Sequence, residues 1–142
     1  MTGPATTPLE IFGNLTSEFK TLTVEAASRL IAQDCVVHEA RGLPGVAGEW
    51  RGPEGFVVLM AKVQQTFPNF EFELLDIFSN DVDRLAYRGR ASGDTPGGRF
   101  EMDLVEYWSF RDGKAVDIWP MWHDTKAVSD LYHGRAKAAE PA

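Results

Sequence analysis

The sequence predicts an α+β fold in which helices pack on one face of a curved antiparallel sheet. In the first half of the chain, apolar residues recur at helical spacing, as at Phe56, Leu59 and Val63. Beyond Pro68 the apolar spacing changes from about 3.6 to about 2 residues, which is typical of half-buried strands. Helices that precede a run of strands favour an α+β arrangement over alternating βα units.

Three helices are predicted before the sheet. The first covers residues 8–20, which carry an imperfect apolar stripe at helical spacing. The second follows Thr23, because threonine is a good N-cap residue, and its apolar face extends to Ile31. The third begins at Pro53, since proline suits the first turn of a helix, and it ends before Pro68.

Five strands and one more helix complete the predicted order. Short turns such as Asp112-Gly113 separate consecutive strands and favour hairpins. A loop is predicted for residues 41–52, which contain four glycines. The predicted strands are residues 35–39, 71–79, 84–92, 99–111 and 114–122, and the predicted last helix is residues 125–132.

The composition limits the partners and the chemistry of the chain. Its 142 residues form one predicted domain, with tails 1–7 and 135–142 expected to be disordered. Acidic residues outnumber basic ones by 21 to 14, and the net charge of −7 disfavours nucleic acids and anionic membranes as partners. A single cysteine, Cys35, excludes an internal disulfide and a thiolate metal cage. Since neither an export signal nor a membrane-length apolar run occurs, the cytoplasm is the expected compartment.

Glu106 lies in the middle of an otherwise apolar strand face. Alternate residues of the strand share a face, and the other members of this one are Met102, Leu104, Trp108 and Phe110. Burial there favours the neutral carboxyl group, which is a good hydrogen-bond donor to a developing oxyanion. The alternative is an ion pair with Arg88 or Arg90, or a position at the end of the strand.

Glu39 is the second candidate carboxyl group. It ends the first predicted strand, next to His38, and it precedes the glycine-rich loop. A carboxylate at the rim of a pocket can take a proton from a substrate carbon. The alternative is an ordinary solvated acid at the edge of a loop.

A third cluster of side chains lies between Trp119 and Asp124. Trp122 shares a strand face with Pro120, and the opposite face carries Trp119 and His123. Proline inside a strand predicts an edge or a bulge. His123 and Asp124 are either a catalytic dyad or the start of the last helix with Asp124 as its N-cap, and the cap is favoured. No sequence motif for a metal, a nucleotide or a serine nucleophile occurs, so neither metal nor cofactor is expected.

Four segments of the chain resemble a known superfamily. They are QDCVVHE at 33–39, GPEGF at 52–56, LVEYWSFRDGK at 104–114 and WHDT at 122–125. On these segments the chain, over residues 9–131, resembles the NTF2-like superfamily, and within it the SnoaL-like polyketide cyclases and the related ketosteroid isomerases. The resemblance implies a cone-shaped, cystatin-like α+β barrel with an apolar pocket, and it implies a homodimer.

The resemblance also implies roles for individual residues. Glu39 matches the general base of a ketosteroid isomerase, and Glu106 matches its protonated oxyanion donor. The tyrosine that such an isomerase carries on its first helix is absent, and Pro120 replaces the acid of the cyclases. Candidate residues for binding a small apolar substrate are Phe56, Met60, Met102, Leu104, Trp108, Trp119, Pro120, Trp122, His38, His123 and Asp124.

Two functions follow from these matches. One is a cofactor-independent isomerase or cyclase that moves a proton next to the carbonyl group of a polyketide- or steroid-like compound. The other is a non-catalytic NTF2-like module for ligand binding or dimerisation. What distinguishes the two is whether Glu39 and Glu106 converge within reach of one substrate atom, roughly 3 Å from each, as the first requires.

Overall fold

The computed structural model describes residues 7–17 and 19–136 and has the mixed α+β architecture that the sequence predicts. Most of the two predicted disordered tails lies outside these residues. At the inner ends of the tails, Thr7 caps the first helix through Glu10, and Arg135 pairs with Asp130 at 3.0 Å. The elements, in order, are α1 Pro8–Ser17, α2 Val24–Ser28, β1 Ile31–Glu39, β2 Gly48–Arg51, α3 Gly52–Thr66, β3 Glu71–Ser79, β4 Arg84–Thr95, β5 Gly98–Arg111, β6 Lys114–Trp122 and α4 Thr125–Tyr132.

The strands of the described residues form one curved sheet that does not close, in the order β2-β1-β6-β5-β4-β3. The predicted antiparallel meander from β3 to β6 is confirmed. The Asp112-Gly113 turn joins β5 to β6 with φ values of 51° and 76°, which suits a tight hairpin. What the sequence did not predict is that β1 inserts beside β6 in parallel, because periodicity identifies a strand without identifying its partner.

Several predicted boundaries are wrong, among them the start of β1, which was predicted at Cys35 and lies at Ile31, and the end of β4, which was predicted at Ser92 and lies at Thr95. The first helix ends at Ser17, short of residue 20. Ile31 begins β1 and does not extend α2, because the Leu30 carbonyl oxygen accepts a hydrogen bond of 2.8 Å from the Ala115 amide and so starts the pairing with β6. The predicted loop at 41–52 contains the short strand β2, whose Trp50 lies opposite Val37 of β1.

Pro120 lies in a central strand, not at the sheet edge that its residue type predicted. The pairs between β1 and β6 extend only to Val37 and Ile118, so the missing N–H of Pro120 costs no hydrogen bond to β1. On its other side, Pro120 lies opposite Glu106 of β5. The register therefore brings this proline next to the candidate acid.

The core lies between the inner face of the sheet and the helices. Ile11 and Leu15 of α1 are fully buried, as is Leu59 of α3, and Trp108 and Ile118 contribute from the sheet. In the described ranges, no helix is long and apolar enough to cross a bilayer. Because the helices cover the sheet only in part, a space remains between the two layers, and the candidate site lies there.

Candidate functional site

The space between the inner face of the sheet and helices α1 and α3 is a cavity of about 120 Å³. Engineered apolar cavities of about 150 Å³ hold a benzene ring, so the volume of this cavity suits a ligand of about one ring. Eight of the residues singled out from the sequence line this cavity: Glu39, Phe56, Met60, Leu104, Glu106, Trp108, Pro120 and Trp122.

Glu106 projects from β5 into the cavity. The indole Nε1 of Trp108 donates a hydrogen bond of 2.8 Å to Oε1 of Glu106, and Tyr87 lies directly opposite Glu106 on β4. Burial raises the pKa of Glu106, and its interactions with Trp108 and Tyr87 offset part of that rise. The alternative partners, Arg88 and Arg90, instead pair with Asp103 on the outer face of the sheet.

Glu39, at the end of β1, is buried, with 8% of its surface exposed. The indole Nε1 of Trp122 donates a hydrogen bond of 3.2 Å to Oε1 of Glu39. Burial, and after it the nearby carboxyl group of Glu106, raises the pKa of Glu39 to about 8. Two acids in one apolar space oppose each other's ionisation, so ionisation of one disfavours ionisation of the other.

Tyr87 is a site residue that the sequence analysis missed. It lies on β4 directly opposite Glu106, it is buried, and its ring packs against Phe12 and Phe72 at centroid distances of 5.0 and 5.5 Å. Burial and the contact with Glu106 raise its pKa well above the usual value for tyrosine. The alternation of Leu85, Tyr87 and Ala91 is a sequence signal for an inner face, but the register that sets Tyr87 beside Glu106 has no local signal.

Trp119 and His38 lie on the outer face of the sheet, so the expectation that they line the cavity is corrected. Their rings stack at 3.7 Å with an interplanar angle of 8°. Both donate to the carboxylate of Asp117, His38 from Nε2 at 2.7 Å and Trp119 from Nε1 at 2.6 Å. The cause is strand alternation, which directs Trp119 away from the face that carries Pro120 and Trp122.

Three other candidates also lie outside the cavity. Met102 is half-buried on the inner face, but it precedes Leu104, the first residue of β5 that lines the cavity. His123 is exposed just after β6. Asp124 accepts a hydrogen bond of 3.1 Å from the Ala127 amide and caps α4, so the cap is the alternative that the structure shows.

The lining combines an apolar wall with two acids. Among the residues that the structure describes, no lysine, arginine or histidine lines the cavity. No group of three or more histidine, cysteine, aspartate or glutamate side chains in those residues is placed to hold a metal ion. What the arrangement offers a substrate is therefore proton transfer and hydrogen bonding from Glu39, Glu106 and Tyr87.

Comparison with known proteins agrees with this architecture. The SnoaL-like domain family matches residues 15–118, so the chain belongs to the SnoaL-like family. IdmH from Streptomyces antibioticus, a proposed polyketide cyclase, is 27% identical with a TM-score of 0.66, over 87% of this chain and 97% of its own. No curated protein sequence matches the chain.

Two further solved structures share the fold. TerC, co-crystallised with polyporic acid, is 21% identical with a TM-score of 0.73, over 88% of this chain and 97% of its own. An NTF2-like protein from Burkholderia thailandensis E264 is 23% identical with a TM-score of 0.73, over 92% and 96% of the two chains. The NTF2-like fold that the resemblance implies is thereby confirmed.

Proposed function

We propose that this protein is a cofactor-independent acid/base enzyme, an isomerase or cyclase, that acts on an apolar carbonyl compound of polyketide or steroid type. The observation that carries the proposal is that Glu39 and Glu106 both face one apolar cavity. The relationship to the proposed polyketide cyclase IdmH supports the reaction class. The co-crystal of TerC with polyporic acid supports a small-molecule ligand.

Glu39, in its carboxylate form, takes a proton from the carbon next to the substrate carbonyl group. The pair of electrons left behind moves onto the carbonyl oxygen and forms an enolate. Glu39 then returns the proton to another carbon in an isomerisation. In a cyclisation the enolate carbon instead attacks a second carbonyl group, and the alkoxide oxygen formed there takes the proton from Glu39. A pKa of about 8 suits a general base, because basicity and the ionised fraction are both useful near neutral pH.

Glu106 supplies the hydrogen bond that the enolate oxygen needs. An indole N–H only donates, so Trp108 requires Oε1 of Glu106 to be an acceptor and leaves the acid proton to Oε2. A neutral carboxyl group held in this way is preorganised for an oxyanion. Tyr87 holds Glu106 from the neighbouring strand.

Hydrogen exchange on a simple ketone tests the proton transfer directly. Phenylacetone and 2-tetralone, dissolved in D₂O, are followed by NMR for loss of the proton beside the carbonyl group. We expect the protein to accelerate this loss and Glu39→Gln to slow it by about 10²–10⁴. The control is Glu101→Gln, the same chemical change at an exposed site on the outer face of β5. No acceleration by the wild-type protein favours the non-catalytic binding module instead.

The outer face of the sheet carries the apolar surface for the homodimer that we also propose. Val105 lies opposite Met121, and Tyr107 lies opposite Trp119, with all four side chains exposed. Contiguous exposed apolar residues on a sheet face mark an interaction site. Sedimentation velocity is expected to report a dimer for the wild-type protein and a monomer for Met121→Asp, and a wild-type monomer contradicts the proposal.

A further inference from the structure

The ionisable groups that line the cavity are all acidic. Two carboxyl groups, those of Glu39 and Glu106, face the space, and no basic side chain among the described residues lines it. The rest of the wall is apolar and rich in aromatic rings. The aromatic residues that line it are Phe19, Phe56, Phe70, Phe72, Tyr87, Trp108 and Trp122.

We propose that this cavity binds planar organic cations, in which a ring carries a protonated or quaternary nitrogen that lies beside Glu39. Aromatic faces attract cations through the ring quadrupole, and a carboxylate supplies the counter-charge. The inference rests on the proposed function and extends its substrates from apolar ring ketones to those that also carry a cationic nitrogen close to the carbonyl group.

In the free protein, the carboxyl group of Glu39 has already lost most of its contact with water. Pairing two charges away from water normally requires both of them to lose their hydration. Glu39 is buried before any ligand arrives, so its hydration is lost on folding and only the ligand must be dehydrated on binding. Preorganisation of this kind increases affinity. An anionic ligand is repelled by the same two acids and is not expected to bind.

Binding of a cation must therefore favour the ionised form of Glu39. The titratable groups that face Glu39 across the cavity are Glu106 on β5 and Tyr87 on β4, and Cys35 is buried two residues earlier on β1. Burial raises the pKa of Cys35 to about 12 and that of Tyr87 well above its usual value, so both stay neutral below pH 9. Affinity for a permanent cation should rise by about tenfold per pH unit until Glu39 ionises near pH 8.

Three six-membered aromatic compounds of different charge test the role of charge, and two of them, 1-methylpyridinium and toluene, have the same shape. They are 1-methylpyridinium, toluene and benzoate, whose charges of +1, 0 and −1 stay essentially constant between about pH 6 and 9. Dissociation constants come from NMR titrations that follow the indole N–H signals of Trp108 and Trp122, which hydrogen-bond to the two acids. The titrations are run at pH 6 and pH 9 on the wild-type protein, Glu39→Gln and Glu101→Gln.

We expect 1-methylpyridinium to bind more tightly than toluene at pH 9, and its affinity to increase about a hundredfold from pH 6. The increase should disappear in Glu39→Gln and persist in Glu101→Gln, while toluene binds all three proteins alike and reports an intact cavity. Equal affinities for the cation and toluene at pH 9, or a pH response that survives Glu39→Gln, overturn the inference. Neither of those results affects the exchange test with neutral ketones, so the two proposals fail separately.

Discussion

Replacing Glu39 by glutamine is expected to stabilise the protein at alkaline pH. In the unfolded chain the carboxyl group has its ordinary pKa of 4.5, whereas burial beside Glu106 raises the pKa in the folded protein to about 8. Between these values the folded state holds a proton that the unfolded state has lost. Stability therefore falls as pH rises, by about 1.4 kcal/mol per pH unit, and the whole window corresponds to about 5 kcal/mol.

The free energy of unfolding of a small domain is roughly 5–15 kcal/mol, so this loss is a large share of it. Glutamine has no charge to lose but keeps an oxygen that accepts from Trp122. The free-energy difference between Glu39→Gln and the wild-type protein should therefore grow in favour of the variant from pH 5 to pH 9, by several kcal/mol. Below pH 4.5 the difference should stay constant, because both states of the wild-type chain are then protonated.

Urea denaturation at pH 5, 7 and 9 measures this difference, with tryptophan fluorescence and circular dichroism as separate signals of unfolding. Glu101→Gln is the control, since the side chain of Glu101 is 70% exposed. Its stability relative to the wild-type protein should change little with pH. If Glu39→Gln shows the same flat profile as Glu101→Gln, Glu39 is an ordinary solvated acid and the reasoning about its burial is refuted.

Four further substitutions test other parts of the structure. Glu106→Gln should keep the fold, measured by circular dichroism, because the amide donates and accepts at the same place, while ketone exchange slows for lack of an acidic proton. Tyr87→Phe should cost about 1 kcal/mol in urea denaturation, and exchange at the wild-type rate would exclude Tyr87 from positioning Glu106. Asp124→Ala should cost about 1 kcal/mol through the lost N-cap of α4, and an unchanged midpoint would contradict that role. Gly89→Ala should lower stability by about 1–3 kcal/mol because the new methyl group meets the ring of Phe72, and a neutral effect would show that the ring can move aside.

The sequence predicted the second half of the fold better than the first. Strands β3 and β6 and helix α4 have the predicted bounds, because clear alternation or a capping aspartate defines them locally. Helix α2 begins after the predicted N-cap Thr23, but its end and the strand β2 were mispredicted, since both depend on partners distant in the sequence. The Leu30 carbonyl pairs with Ala115, and Trp50 pairs with Val37, and neither contact has a local signal.

Alternation also separated the two faces of β5 and β6 correctly. It assigned Glu106 and Trp108 to the inner face, and it assigned Trp119 to the outer face even though two neighbouring indoles suggested a common ligand wall. Alternation does not show which residues of different strands lie next to each other. The contact of Tyr87 with Glu106 and that of Trp122 with Glu39 depend on strand register and on the parallel insertion of β1.

The protonation of the two cavity acids can be observed directly by NMR of ¹³C-labelled glutamate side chains. Titration of the carboxyl carbons between pH 3 and pH 10, assigned with Glu39→Gln and Glu106→Gln, gives each pKa in the folded protein. We expect both carboxyl groups to be still protonated at pH 6.5, with Glu39 losing its proton near pH 8. Titration of both groups near the ordinary value of 4.5 would contradict the assignment of a buried acid pair to this cavity.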